Sequence, residues 1–262
     1  MIILSILFFV TALIYASIGF GGGSTYLAIL LIWGVPYTIF PVIALVCNII
    51  VVSGNSINFL RSKNINFNLL FPYLIGSIPF AFIGGSITIE KSLFEILLFC
   101  ILSVAGIFLL IESKAFNKEK IKINKIPRLI SISIGSIIGF MSGIVGIGGG
   151  IFLSPLLFLM KAGYPRHITS SASLFILINS IFGIAGQLTK DQVLNQVITY
   201  WPLFLSVLIG GQIGSVLNIK FLSNKILALI TGKPFSKSPP SKLRVTNFSL
   251  AMREGEFCVF NI

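Results

Sequence analysis

The sequence predicts an all-α polytopic membrane protein built from two homologous four-helix repeats, and three observations predict it. Only 10% of the 262 residues are charged, 55% are hydrophobic, and the mean hydropathy is +1.01; soluble domains run nearer ~25% charged. The apolar stretches reach about 20 residues and more, the length that crosses a ~30 Å hydrocarbon core as helix. Features of the first half also return, in order, in the second. A β-barrel is excluded, because its strands would alternate lumen-facing polar residues with lipid-facing apolar ones and no such alternation is present.

The first apolar block runs from Ile2 to Trp33. It lacks the basic start of a signal peptide and continues past any cleavage site, so it reads as the first membrane helix. As one straight helix it would be about 47 Å long at ~1.5 Å per residue, too long unless tilted or broken. Its break is the cluster "GFGGG" at Gly19 to Gly23. Apolar segments follow at Thr38–Leu60, Asn68–Ile87 and Leu93–Ile111, then the polar linker Glu112–Arg128. The second half opens with Leu129–Met160, again long and again interrupted, by "GIGGG" at Gly146 to Gly150. Segments at Ile168–Leu188 and Val197–Leu217 complete it, and an eighth begins near Ser223 but stops at Gly232. The expected units are therefore a first membrane repeat (1–111), a basic linker (112–128), a second repeat (129–232) and an atypical polar tail (233–262), with the eighth helix truncated.

The two clusters start 127 residues apart, and further pairs keep nearly that offset: Gly34 with Gly163, Pro36 with Pro165, Gly54 with Gly183, Pro72 with Pro202, Gly84 with Gly214. Internal duplication of multi-helix units leaves this kind of weak symmetry in transporters.

The net charge is +12, but the Lys and Arg lie between apolar segments, where they report topology rather than a nucleic-acid partner. With each broken block counted as one crossing, Arg61, Lys63, Lys190 and the six basic residues of the linker share one side with the N-terminus. The positive-inside rule makes that side cytoplasmic, and the repeats would be parallel. If the glycine breaks turn the chain back, this count changes. Three cysteines, Cys47, Cys100 and Cys258, show no pairing pattern.

Glycine at helical spacing is most simply a packing device, and Gly135, Gly139 and Gly143, or Gly210 and Gly214, read that way. A dinucleotide loop is excluded, since no strand precedes the clusters and no acidic residue follows at the required distance. Three consecutive glycines differ from a packing stripe: each weakens helix by ~1 kcal/mol relative to Ala. A break in mid-membrane followed by a short helix presents unpaired N–H groups and a positive dipole end, which suit an anion. Discontinuous helices at matching positions of two halves point to a transport site. Candidate ligands are the backbone N–H groups of Gly21, Gly22 and Gly23 and of Gly148, Gly149 and Gly150. Ser24 and Thr25 add hydroxyls; Asn48, Thr169 and Ser170 would line the path. Asn48 and Asn55 share a helix face, as do Thr169, Ser173 and Ser180. Glu95 is the single carboxylate inside a span, and His167, the only histidine, heads a segment beside Arg166. With no paired carboxylates, no Ser–His pair and no metal motif, the chain is not expected to be an enzyme or to hold a cofactor.

The stretches "GFGGGSTYLAILLIWGVP", "GIVGIGGGIFLSPLLFLMKAGYPRHITSSAS" and "GGQIGS" together resemble the TauE/SafE family of sulfite exporters, over about Leu4 to Leu229. The resemblance implies a multi-pass inner-membrane permease of two four-helix repeats that moves sulfur-containing anions such as sulfite, sulfoacetate or another organosulfonate. Two departures stand out: Ala28 in the first half occupies the place of Pro155 in the second, and the eighth helix is cut short. The expected function is a secondary transporter of a small anion. The alternative is a non-transporting membrane subunit or assembly factor, which the shortened end would favour.

Overall fold

A computed structural model describes residues 1–61, 65–115, 123–124, 126–190 and 196–218. The expected eighth-helix stump, the tail 233–262 and residues 116–122 of the linker lie outside the described residues. Nine α-helices are present among them: α1 Ile2–Ile18, α2 Gly23–Ile32, α3 Phe40–Arg61, α4 Phe67–Ser86, α5 Lys91–Ala115, α6 Arg128–Val145, α7 Gly150–Leu159, α8 Pro165–Gln187 and α9 Trp201–Leu217. Short 3₁₀ turns at Tyr37–Ile39 and Ile198–Tyr200 lead into α3 and α9. No strand occurs among the described residues, and five of the helices are long and apolar enough to cross a membrane.

The boundaries follow local chemistry. Asn66 caps α4 by accepting from the Leu69 N–H at 3.2 Å, and Pro165 opens α8 at the position where a missing N–H costs nothing. Gly19 and Gly146 end α1 and α6 in the left-handed conformation, with φ of 94° and 89°, which side chains with a Cβ avoid. Residues 19–22 and 146–149 belong to no helix.

Close packing fixes the direction of each helix. A Cβ on Gly210 would strike the Phe9 carbonyl, one on Gly214 the Leu13 carbonyl, and Asn218 donates to the Ser17 carbonyl at 2.7 Å. These steps advance together, so α1 and α9 are parallel. Gly135, Gly139 and Gly143 of α6 meet the carbonyls of Tyr73, Ser77 and Ala81 of α4 in the same way, so α4 and α6 are parallel too. Gly211 packs on Val51 and Gly54 on Ser215, which aligns α9 with α3. Leu45 packs on Gly183, while Phe59 and Thr169 both reach Gly19, so α3 and α8 are antiparallel. In lipid such small-residue contacts let backbones approach closely.

Hence α1, α3 and α9 start at the end of the bundle marked by Pro41, whereas α4, α6 and α8 start at the end marked by Arg61. This corrects the crossing count expected from the sequence. The chain leaves α2 at Ile32 and enters α3 through Tyr37–Ile39, back on the Pro41 face where α1 began. For α6 and α7 the return is direct: the Asn124 N–H donates to the Lys161 carbonyl at 3.0 Å and its side chain to the Met160 carbonyl at 3.3 Å. Each glycine break thus turns the chain into a hairpin that leaves by the face it entered. The N-terminus and the linker residues before Arg128 therefore lie on opposite faces, and α1 and α6 run in opposite directions. Around this core the outward residues, such as Ile2, Ile6, Phe71, Phe82 and Ile209, are exposed and apolar, as a lipid-facing surface requires.

Candidate functional site

The two breaks meet at Asn48, a fully buried residue in the middle of α3. Its Nδ2 donates to the Ile147 carbonyl at 3.0 Å. Because that neighbour is an acceptor, the amide is oriented with Oδ1 turned the other way, toward Gly21. A Cβ on Gly21 would lie 2.5 Å from Oδ1, and one on Gly23 would lie 2.6 Å from the Ile147 oxygen and 2.7 Å from Nδ2. From the other side, a Cβ on Gly148 would lie 2.9 Å from Nδ2 and 3.1 Å from the Ser180 hydroxyl. Glycine is needed here for space: backbone from both breaks closes onto one amide. Ile176 of α8 is the apolar wall, facing Gly21, Gly148 and Gly150.

The polar groups at this centre are underused. Asn48 Oδ1 and the Ser180 hydroxyl are buried without hydrogen-bond partners, as are both amide atoms of Asn179. The first backbone donor of α2 is Tyr26, to Gly22 at 2.9 Å; that of α7 is Phe152, to Gly149 at 3.2 Å. Among the described residues no backbone hydrogen bond is donated by Gly21 to Thr25 or by Ile147 to Ile151. Two helix N-termini thus leave backbone donors unpaired, those of Gly22 to Ser24 and Ile147 to Gly150 in buried residues, where an unpaired polar group costs ~1–3 kcal/mol. No cluster of His, Cys, Asp or Glu among the described residues could hold a metal ion.

The other candidates are distributed around this centre. Ser24 is buried in the first turn of α2. Thr25 shares a 2.8 Å hydrogen bond with the Tyr15 hydroxyl, which ties α2 back to α1. Gly22 packs on Thr11 and the Tyr26 ring, and Gly149, with φ of 77°, packs on Ile138 and Phe175. Thr169 lies beside Gly19 and Phe59, nearer the Arg61 face, and Ser170 donates to the His167 carbonyl of its own helix at 3.1 Å. The structure does not bring these last two to Asn48.

A second polar region was hidden in the sequence. A cavity of about 510 Å³ opens on the Pro41 face, between the start of α3 and α5 and the ends of α4 and α8. Gln187, fully buried, donates to the Gly143 carbonyl at 2.9 Å and accepts from the Lys190 ammonium at 2.8 Å. Burial lowers the pKa of Lys190 to about 8. Pro41 and Ile144 also line the cavity, and Pro41 abuts Gly146, so the cavity adjoins the second break. In the sequence Lys190 reads only as a loop charge and Gln187 as a helix end; the amide three residues before the lysine is the one signal that could have linked them.

Comparison with known proteins relates the chain to membrane transporters. The profile of the family described as sulfite exporter TauE/SafE matches residues 4–232. A probable membrane transporter protein of Sinorhizobium fredii is 31% identical over 229 residues, covering 87% of this chain and 92% of the relative. A probable membrane transporter protein of Methanocaldococcus jannaschii is 29% identical over 199 residues, 72% of this chain and 73% of the relative. Sulfite exporter TauE/SafE family protein 5 of Arabidopsis thaliana is 29% identical over 126 residues, 44% of this chain and 28% of the relative. No solved structure matches the chain.

Proposed function

The chain belongs to the sulfite exporter TauE/SafE family, and from that premise we propose that this multi-pass membrane transporter is a secondary transporter of a small sulfur-containing anion: sulfite, sulfoacetate or another organosulfonate. The observation that carries the proposal is the meeting of the two breaks at Asn48, where N–H groups of α2 and α7 without backbone acceptors converge. A helix N-terminus favours negative charge, and here it acts in a medium that screens it little. Gly21, Gly22, Gly23, Gly148, Gly149 and Gly150 would supply backbone donors. Ser24 and Ser180 would add hydroxyls, and Asn48 would hold the two breaks in register. Thr25, Thr169 and Ser170 would act farther along the path.

The same reading makes the two halves inverted repeats. Its support is the exchange of partners: α1 of the first half packs on α9 of the second, α6 of the second packs on α4 of the first, and the middle helices α3 and α8 pack antiparallel on each other. Broken helices meeting at such an axis are how alternating access is built around one site.

Orientation in the inner membrane follows from the corrected directions. Segments joined to the Arg61 face carry Arg61, Lys63, the six basic residues of the linker, Lys161 and Arg166; those on the Pro41 face carry Lys91 and Lys190. The rule that basic loops stay inside makes the Arg61 face and the linker cytoplasmic, and the N-terminus external. Uptake of sulfite, sulfoacetate and a cationic control into proteoliposomes tests the function. Flux of the anions alone is expected; protein that is folded yet moves none of them would sink the proposal.

A further inference from the structure

We propose that the cavity on the Pro41 face is an anion-binding vestibule, in which Lys190, held by Gln187, captures a small oxyanion on the outer side of the membrane. The site is built rather than incidental. Gln187 is fully buried and pinned through its nitrogen to the Gly143 carbonyl, leaving its oxygen to fix the ammonium at 2.8 Å. That contact uses one of the three ammonium donors. At about 510 Å³ the cavity has room for a sulfite or a short sulfonate with part of its hydration shell.

Electrostatics favours the same ligand class. Lys190 is the one charged side chain among the described residues that line the cavity, and Tyr37 is the one other titratable group. Near the rim Lys91 is exposed and paired with Glu95 at 3.8 Å, and Glu90 is exposed. Asp191, next in the chain, lies outside the described residues. A half-buried ammonium in a mainly apolar pocket without a lining carboxylate lacks compensation that an oxyanion supplies, since desolvation costs an unpaired charge. A lysine serving only as an interfacial anchor would extend its ammonium to water; this one is turned inward onto Gln187. Ile144 and Pro41 then link the pocket to Gly146 at the second break, about two helical turns of α3 from Asn48.

This inference rests on the orientation and anion reading given above, and charge-selective labelling tests it apart from transport. Thr88 lines the cavity and is exposed. In full-length protein carrying Thr88→Cys, Cys100→Ser and Cys258→Ser, intact cells are treated with anionic or cationic methanethiosulfonate reagents of equal size. The ratio of the two rates cancels the ionisation of the thiol itself. Lys190→Gln should lower the anionic-to-cationic ratio several-fold, because one unit charge acts on the two reagents with opposite sign. Lys190→Arg should keep the ratio and Lys190→Glu should invert it. An equal ratio in wild type, Lys190→Gln and Lys190→Glu overturns the vestibule. Charge selectivity in the labelling together with no sulfite flux in proteoliposomes would keep the vestibule and remove the sulfite reading instead.

Discussion

The side-chain nitrogen of Asn48 lies 3.0 Å from the carbonyl oxygen of Ile147, a hydrogen bond that spans 99 residues of chain and joins the middle of α3 to the second glycine break. Replacing Asn48 by Leu leaves that carbonyl buried and unpaired. The expected cost is ~1–3 kcal/mol in the unfolding free energy measured in bicelles, with anion flux lost. Replacing Asn48 by Asp keeps the volume but sets a carboxylate against the two N-termini. Like Leu, it leaves the Ile147 carbonyl without a donor, so a stability loss of ~1–3 kcal/mol is expected, and in the folded fraction the apparent affinity for sulfite should fall on the order of tenfold, which is ~1.4 kcal/mol. Full flux in Asn48→Asp would count against a site at this residue.

Two glycine substitutions should have opposite outcomes. A Cβ on Gly23 would lie 2.6 Å from the Ile147 oxygen, which is backbone and cannot rotate away, so Gly23→Ala should destabilise the protein by ~1–3 kcal/mol and abolish flux. Gly106, within α5, has nothing within 4 Å of the added carbon, so Gly106→Ala should stabilise by up to ~1 kcal/mol and leave flux unchanged. Parallel unfolding curves and flux assays on the two variants read both effects.

The affinity of the vestibule should depend on pH with a definite sign. Burial brings Lys190 to about 8, so its positive charge is present below pH 8 and is lost as the pH rises through it. The charge selectivity of labelling at Thr88→Cys should therefore fall between pH 7 and pH 9. Lys190→Arg, whose guanidinium does not titrate in this range, should flatten the dependence. A selectivity that is constant with pH in the wild type would mean that the ammonium does not act on the cavity.

Topology gives a fourth expectation. Asn124 and Thr88 stand at opposite ends of the bundle. A cysteine at position 124, in a background free of other exposed cysteines, should react with an impermeant thiol reagent only after the cells are opened. One at position 88 should react from outside. The reverse pattern would turn the molecule over.

Much of the fold was legible in the sequence. Apolar length marked the membrane-spanning segments, and α1 and α2, like α6 and α7, are separate helices whose flanking residues fall at the two glycine clusters. The direction of α2 and α7 was not legible. An apolar block from Ile2 to Trp33 has the same composition whether it crosses once or returns, and only the packing of Phe9 on Gly210 and of Asn124 on Lys161 separates the two. The error carried into the charge count, because Lys190 lies on the face opposite the linker, whereas Lys161 lies on the linker's face. Asn48 could be picked out because an amide in hydrocarbon needs a partner. Gln187 was harder to pick out: Lys190 is only three residues away, but its other partner, the Gly143 carbonyl, arrives only when α8 packs against α6.

The hairpins constrain the order in which the molecule can be made. A ten-residue helix such as α2 or α7 is too short to be released into lipid by the insertion machinery as a finished span. Its exposed chain ends must find protein before they meet hydrocarbon. For α1 that protein includes α9, synthesised almost two hundred residues later. The packing of Phe9 on Gly210 and of Leu13 on Gly214 therefore forms only after every helix between them has been made, so the seat of α1 is completed late in synthesis.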